Sequence, residues 1–323
     1  MERLPPNMEC TIIGVTGNKA YNNDIYIGST SDDPWNTRTK LVVVEPENGF
    51  KYIGTMIVTP GPPVPWSNMI TRGMNIKGFA YTWSYVHPVA EPTYLEAEGV
   101  TFAEFGDLLL RSCANVHEAI ELILSIPRAF HGNFLLADAE GNLALVEVST
   151  QSVYVAVLTK DGYVVRTNHW ISPIMAPKDG VPDEFTNSST WVRYTRALEL
   201  LEKVYIGRIH VEDLMQIFSD TKTYEEWGYG ICAGINSKKG GTVSSEIMEP
   251  KRLIFWYAYG WPCGVKPLWP EQLHQNMSWG VYLPFYLPEL PPGEYVTTDG
   301  QLTPLAIEYL KKHLDIKEPG SLS

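Results

Sequence analysis

The sequence predicts an α+β protein in which two antiparallel sheets pack face to face with helices outside, a four-layer αββα sandwich. Three observations predict it. Runs rich in Val, Ile, Tyr and Thr dominate the first hundred residues and suit strands joined by short turns. Element types come in blocks (strands, helices, strands, helices, strands) rather than in the one-for-one alternation of a parallel sheet. The chain, 323 residues of which 44% are hydrophobic, can bury a large core, and without internal repeat or disordered linker it reads as one domain.

In order, the first strands are "CTIIGVTG", "DIYIGSTSD", "KLVVVEP", "KYIGTMIVTP" and "GFAYTWSYVH", punctuated by Gly, Asn-Asn and Pro. Helices follow in "TFAEFGDLLLRSC" and "NVHEAIELILSIP". In the second, Asn115 and Glu118 form a capping-box pattern and Pro127 marks the end. Strands return in "GNFLLADAEGNLALVEVST" and "SVYVAVLTKDGYVVRTNHW", with Glu-Gly and Asp-Gly as turn dipeptides. Two helices, "SSTWVRYTRALELLEKVY" and "HVEDLMQIFSD", precede a strand pair, "GTVSSEIMEP" and "RLIFWYAYG". Thr303 and Pro304 open a last helix as cap and first helical residue. Residues 261–300 are dense in Pro, Trp and Tyr. They read as an ordered arm over the body or over a neighbouring subunit of a homo-oligomer, with an exposed lid as the alternative.

Composition narrows the partners. A net charge of −12 opposes nucleic acid and anionic membrane surfaces by like-charge repulsion. No apolar run of about 18 residues is present to span a bilayer. "MERLPPNME" lacks the apolar centre of a secretion signal, so the expected location is the cytoplasm. Four cysteines, Cys10, Cys113, Cys232 and Cys263, make no C-x-x-C pair. Zinc is therefore not expected, nor is any other cofactor, and the thiols are expected to be reduced.

Cys10 opens an apolar strand a few residues from the start. A thiol has a pKa of about 8.5 and needs a base before it attacks a carbonyl. A free α-amino group, with a pKa of about 8, is such a base. A cysteine that becomes the first residue thus carries nucleophile and base together, provided that residues 1–9 are removed as a propeptide at the Glu9–Cys10 bond. Read alone, the stretch favours an ordinary buried thiol over a nucleophile. Asp32 ends the next strand, where a hairpin returns it beside Cys10; it orients an amine there or caps its own turn. Asn168 and His169 end "VVRTNHW", and a strand-end Asn donates either to an oxyanion or to backbone. Arg193 and Arg196 lie near a helix start, where the helix dipole disfavours cations, so one of them has a functional reason or both make surface ion pairs. His87, His131 and His169 admit a Cys–His dyad, which an α-amine makes redundant. Cys113 and Cys232 read as core.

Several motifs in one order carry a resemblance: "CTIIG", "IGSTSD", "GMNIKGFAYTWSY", "GNFLLADAEGNLALVE", "VVRTNHWISP", "NSSTWVRYTRALELLEK" and "GTVSSEIMEPKRLIFWYAYGWPCG". The chain resembles the linear-amide C–N hydrolases of the N-terminal-nucleophile (Ntn) fold. These include acyl-coenzyme A:6-aminopenicillanate acyltransferase-like proteins and, more distantly, penicillin V acylases and bile-salt hydrolases. The resemblance implies the Ntn αββα sandwich, with Cys10 as nucleophile of a self-cleaving zymogen and 10–323 as the mature domain. It implies that Asp32 contacts the nucleophile's amine, that Tyr85 lends a backbone N–H to the oxyanion hole, that Asn168 is its side-chain donor and that Arg193 lies near the thiol. Relatives often carry Arg or Gln, then Asn, ahead of that aspartate. Here the stretch is Gly28-Ser29-Thr30-Ser31, and Asp33 adds a second carboxylate.

The function this implies is hydrolysis of a small-molecule linear acyl-amide through a Cys10 thioester. Acyl transfer to an amine through the same thioester is the alternative, and a non-catalytic ligand-binding scaffold is a third reading.

Overall fold

The computed structural model describes residues 9–34, 37–58, 68–89, 91–92, 97–180, 188–204, 208–223, 230–233, 240–264 and 278–313. Residues 1–8 of the expected propeptide and 265–277 of the expected arm lie outside the described residues.

Two large antiparallel sheets form the body. The first runs β12-β1-β2-β13-β14-β15, made of Gly162–Arg166, Glu9–Thr16, Ile25–Pro34, Gly240–Glu249, Ile254–Tyr259 and Leu283–Tyr286. The second runs β11-β10-β9-β6-β5-β4-β3-β16, made of Val153–Thr159, Leu143–Val148, Gly132–Ala137, Ala80–Ser84, Met69–Asn75, Tyr52–Val58, Arg38–Val44 and Gly293–Val296. A short parallel pair, β7 (Val100–Thr101) and β8 (Arg128–Ala129), stands apart.

Alternation along the strands builds the layers. Ile12, Ile25 and Ile27 meet Leu41, Ile53, Leu135 and Leu143 of the other sheet in an inner core. On the outer face of the first sheet, Ile13, Val15 and Tyr26 pack against α3 (Ser189–Val204) and α4 (Val211–Phe218). On the outer face of the second, Tyr52, Ile70, Tyr81 and Phe134 pack against α1 (Phe102–Ser112) and α2 (Val116–Ser125). Gly106 of α1 lets that helix lie close on β5: a Cβ there would fall 2.0 Å from the carbonyl oxygen of Ile70. The fold is the four-layer sandwich that the sequence predicts.

Caps lie where the residues put them. Asn115 accepts from the Glu118 amide at 3.0 Å. Thr303 caps α5 (Pro304–His313), accepting from the Ala306 amide at 3.4 Å. The sequence reading does not include the short pair β7 and β8 or, in the two large sheets, β5, β15 and β16. Strands β15 and β16 come from the segment read as an arm, and they pair with the edge strands β14 and β3, one on each sheet.

Cys232 and Cys263 form a disulfide, their Cα atoms 6.4 Å apart. This corrects the expectation of reduced thiols there. The partners are 31 residues apart, and only the packing of the turn after β14 against the segment before β13 brings them together. Among the described residues no helix is long and apolar enough to cross a membrane.

Candidate active site

The site forms where β1 begins and the second half of β2 turns polar. Strands β1 and β2 pair so that Glu9 faces Asp32 and Cys10 faces Ser31. Ser29, Thr30, Ser31, Asp32 and Asp33 are all buried, an unusual run for a strand at the centre of a sheet. By alternation Ser29, Ser31 and Asp33 share the inner face with Ile25 and Ile27, while Asp32 shares the helix-facing side with Tyr26. Cys10 likewise points inward and Glu9 towards α3.

The backbone N–H of Cys10 donates to Asn168 Oδ1 at 2.8 Å. Asn168 follows β12, whose pairing with β1 brings Arg166 opposite Ile12. Its loop is held from both sides of the molecule. Thr190 Oγ1 accepts from the Asn168 amide at 2.8 Å. Asn133 Nδ2 of β9 donates to the carbonyls of Thr167 and His169 at 2.9 and 3.1 Å. The buried Glu147 carboxylate accepts from the amides of Ile171 and Ser172. Asn168 Nδ2 donates to the Tyr85 carbonyl at 2.8 Å, so Tyr85, just past β6, and Asn168 are neighbours. Here the contact is made through the Tyr85 carbonyl.

Arg193 reaches in from the first turns of α3 and is fully buried. It donates to the Cys10 carbonyl, to Thr11 Oγ1 at 3.2 Å and to Asn168 Oδ1 at 2.9 Å. Arg196, one turn on, instead pairs with Asp220 at 2.7 Å. Of the two arginines, Arg193 enters the site and Arg196 does not contact Cys10 or Asn168 in any described hydrogen bond. Glu9 takes the remaining capacity of Arg193: its Oε2 accepts from the Ser189 hydroxyl and lies 3.5 Å from Arg193 Nη2.

Asp32 accepts from the Thr242 hydroxyl and its other oxygen has no hydrogen-bond partner among the described residues. Burial pushes its pKa well up, against the pull of Arg193 and with the push of Glu9 and Asp33. Asp33, also raised by burial, accepts from Ser31 Oγ at 2.8 Å.

Arg72, on β5 of the opposite sheet, was not foreseen. It is buried, and its Nη2 lies 3.4 Å from Cys10 Sγ. Its Nε donates to Ser29 Oγ at 2.8 Å and lies 3.4 Å from Glu246 Oε2. Burial pushes the Cys10 thiol up to about 11, Arg72 opposes that most strongly, and Asp33 and Asp32 add to the rise. The signal in the sequence was a lone Arg within "MITRGMN", since a charged residue in a buried strand requires a partner.

No histidine serves the thiol among the described hydrogen bonds. His169 Nδ1 shares a 2.7 Å bond with Thr190 Oγ1 and its ring packs on Trp191. Burial lowers its pKa to about 3. His131 is buried, with neither ring nitrogen hydrogen-bonded among the described residues, and is lowered to about 4. Each is therefore neutral at pH 7. Among the described residues no group of three metal-ligating side chains is present.

The profile of a family described as acyl-coenzyme A:6-aminopenicillanic acid acyl-transferase matches residues 19–262, a span that starts after Cys10. No curated protein matches the chain significantly. Among solved structures, a mutant of the conjugated bile acid hydrolase from Clostridium perfringens is similar at 14% identity, over 77% of this chain and 89% of that one, with a TM-score of 0.51. Penicillin V acylase from Agrobacterium tumefaciens is similar at 17% identity, over 77% and 83%, with a TM-score of 0.47.

Proposed function

We propose that this chain, which belongs to the acyl-coenzyme A:6-aminopenicillanic acid acyl-transferase family, is a self-maturing cysteine amidohydrolase that cleaves linear acyl-amides through Cys10. One observation carries the reading: the Cys10 nitrogen is held by Asn168 while its sulfur faces the guanidinium of Arg72. Once that nitrogen is a free amine, nucleophile and base share a residue whose two functional atoms each have a fixed partner.

Maturation requires the thiol to lose its proton first, and with a pKa near 11 it does not do so unaided. Asp33, on the same face as the thiol and raised by burial, is assigned as its acceptor. The thiolate attacks the Glu9 carbonyl carbon, the C–N bond breaks and the nitrogen takes a proton. That step frees the Cys10 amine; water then opens the Glu9 thioester, releasing residues 1–9 and regenerating the Cys10 thiol.

In turnover the thiolate attacks the substrate carbonyl and the amine passes a proton to the departing nitrogen. Water resolves the acyl-thioester. Asn168 Nδ2 and the Tyr85 backbone are the donors assigned to the oxyanion; the former must leave the Tyr85 carbonyl to serve. Asp32, beside Glu9 in register, is assigned to the amine.

Acyl transfer to an amine is the second reading, favoured by the description of the matched family. It needs a dry second site to compete with water.

Intact mass of purified protein tests maturation: wild type loses residues 1–9 and Cys10→Ala retains them. Incubation with N-acyl amides, with and without an added amine, then separates the readings by product. A Cys10→Ala protein that still sheds its start, or that turns over substrate undiminished, defeats the proposal.

A further inference from the structure

We propose that the seat formed by Ser189 and Arg193, held in the uncleaved chain by the Glu9 carboxylate, recognises in the mature enzyme a carboxylate on the substrate's acyl group. The class of substrate is then the amides of short dicarboxylic acids, with glutaryl amides as the prototype. The inference rests on the self-cleavage chemistry proposed above.

The first amide that Cys10 meets is its own. In that reaction Glu9 is the acyl group, and its thioester with Cys10 is an acyl-enzyme of the kind that turnover requires. Three carbons separate the reacting carbonyl of a glutamyl residue from its side-chain carboxylate, the spacing in a glutaryl group. The carboxylate of this first acyl group has a built seat. The Ser189 hydroxyl donates to Oε2, and the fully buried Arg193 guanidinium lies 3.5 Å from the same oxygen. Arg193 Nε also donates to Ser189 Oγ at 3.2 Å, which fixes the hydroxyl beside the guanidinium.

Cleavage changes the charge around this seat. It removes the Glu9 carboxylate and creates an amine on Cys10, positive when protonated, so the neighbourhood gains up to two units of positive charge. The other groups facing Arg193 are the neutral acceptors Asn168 Oδ1, the Cys10 carbonyl and Thr11 Oγ1. Asp32 is a further acid facing it. It is bonded to Thr242 and, with the new amine beside it, serves two cations. A buried guanidinium left short of an anion is costly, and an incoming carboxylate restores what Glu9 supplied.

The reaction is that of the amidase. The Cys10 thiolate forms a thioester with the glutaryl carbonyl carbon as the C–N bond breaks, the amine leaves protonated, and water releases glutarate and the thiol.

The test uses a chain begun at Met-Cys10, whose initiator methionine is removed by the host, so that the mature terminus exists whether or not self-cleavage occurs. Hydrolysis of glutaryl-p-nitroanilide is compared with that of pentanoyl-p-nitroanilide, which has the same carbon count and no carboxylate. Losing a charge-assisted contact predicts a preference in kcat/KM of about tenfold or more for the glutaryl substrate. Ser189→Ala lowers that ratio several-fold, and Ser189→Thr, which keeps the hydroxyl, restores it. Separately, glutarate slows alkylation of Cys10 by iodoacetamide and pentanoate does not. Equal rates for the two anilides without protection by glutarate overturn the seat and leave the amidase standing. So does a glutaryl preference that Ser189→Ala does not change. Protection by glutarate without hydrolysis of either anilide overturns the amidase and leaves the seat.

Discussion

Arg72 Nη2 lies 3.4 Å from Cys10 Sγ although the two residues belong to opposite sheets. The contact spans the inner face of the sandwich. It is possible because β2 presents the small Ser29, whose hydroxyl accepts from Arg72 Nε, and β13 adds the Glu246 carboxylate beneath it. The small, polar stretch Gly28 to Ser31 thus admits a cation from across the core. Glu246 has no solvent exposure, so the pair holds only because the guanidinium's donors are shared among a carboxylate, a hydroxyl and a sulfur.

Removing the guanidinium raises the thiol further. Arg72→Met combined with Glu246→Gln, which avoids stranding a buried carboxylate, shifts the pH midpoint of Cys10 alkylation upward by about one unit or more. Maturation slows in step. Circular dichroism checks that the fold persists. An unmoved midpoint shows that Arg72 is a structural ion-pair partner alone.

Two roles are proposed for Asn168, holding the Cys10 nitrogen and donating to the oxyanion, and two variants divide them. Asn168→Ala removes both the acceptor for the Cys10 nitrogen and the side-chain donor to the oxyanion, and lowers turnover by about 10²- to 10³-fold. Asn168→Asp keeps an acceptor for the nitrogen and for Arg193 but cannot donate when ionised. It therefore recovers Cys10–amine placement, read as maturation by intact mass, without recovering turnover. Equal recovery of both shows that the side chain acts only by holding the nitrogen.

How far the sequence reveals this arrangement depends on the range of each interaction. Strand and helix periodicity, the Asn115 and Thr303 caps and the β1–β2 hairpin are local, and they are legible. Cys10, Asn168 and Arg193 come together through the order of motifs along the chain, and the structure joins all three by hydrogen bonds. Strand β5 is hidden because Arg72, Gly73 and Asn75 break its apolar pattern; Arg72 serves Cys10, and Gly73 has no room for a side chain beside Leu110. Strand β15 is hidden because Pro284 interrupts a four-residue run. The Arg72 contact and the Cys232–Cys263 bridge are pairings between distant segments, and neither leaves a spacing rule to read.

Two buried histidines set an acid limit on stability. Unfolded imidazoles take up protons near pH 6.5, whereas burial holds His131 neutral to about 4 and His169 to about 3. Below 6.5 the unfolded chain therefore binds more protons, and this part of the stability, fully present above that value, is lost as pH falls. Asp32, Asp33 and Glu246, raised by burial, act in the opposite sense, gaining stability as pH falls through their folded values. A difference isolates the ring. Between pH 7 and 5, His131→Leu loses less stability to urea than wild type, by on the order of 1–2 kcal/mol. Identical pH dependence in both proteins shows that His131 is not held neutral.

The Cys232–Cys263 bridge reaches the site through a short relay. The Cys232 amide donates to the Asp220 carbonyl at 3.0 Å, and the Ala233 amide donates to Thr242 Oγ1 at 2.9 Å. Thr242 in turn donates to Asp32. Closing a loop of this length, 31 residues apart in sequence, contributes about 2–4 kcal/mol by restricting the unfolded chain. Cys263→Ser is therefore expected to lower the unfolding free energy by that amount, read as a lower urea midpoint, and, by loosening the Ala233–Thr242 contact, to weaken the hold on Asp32. Thiol titration of denatured wild type counts two free cysteines before reduction, Cys10 and Cys113, and four after. A count of four at the outset shows the bridge absent. An intact bridge with an unchanged midpoint in Cys263→Ser shows that it constrains segments already fixed by their own packing.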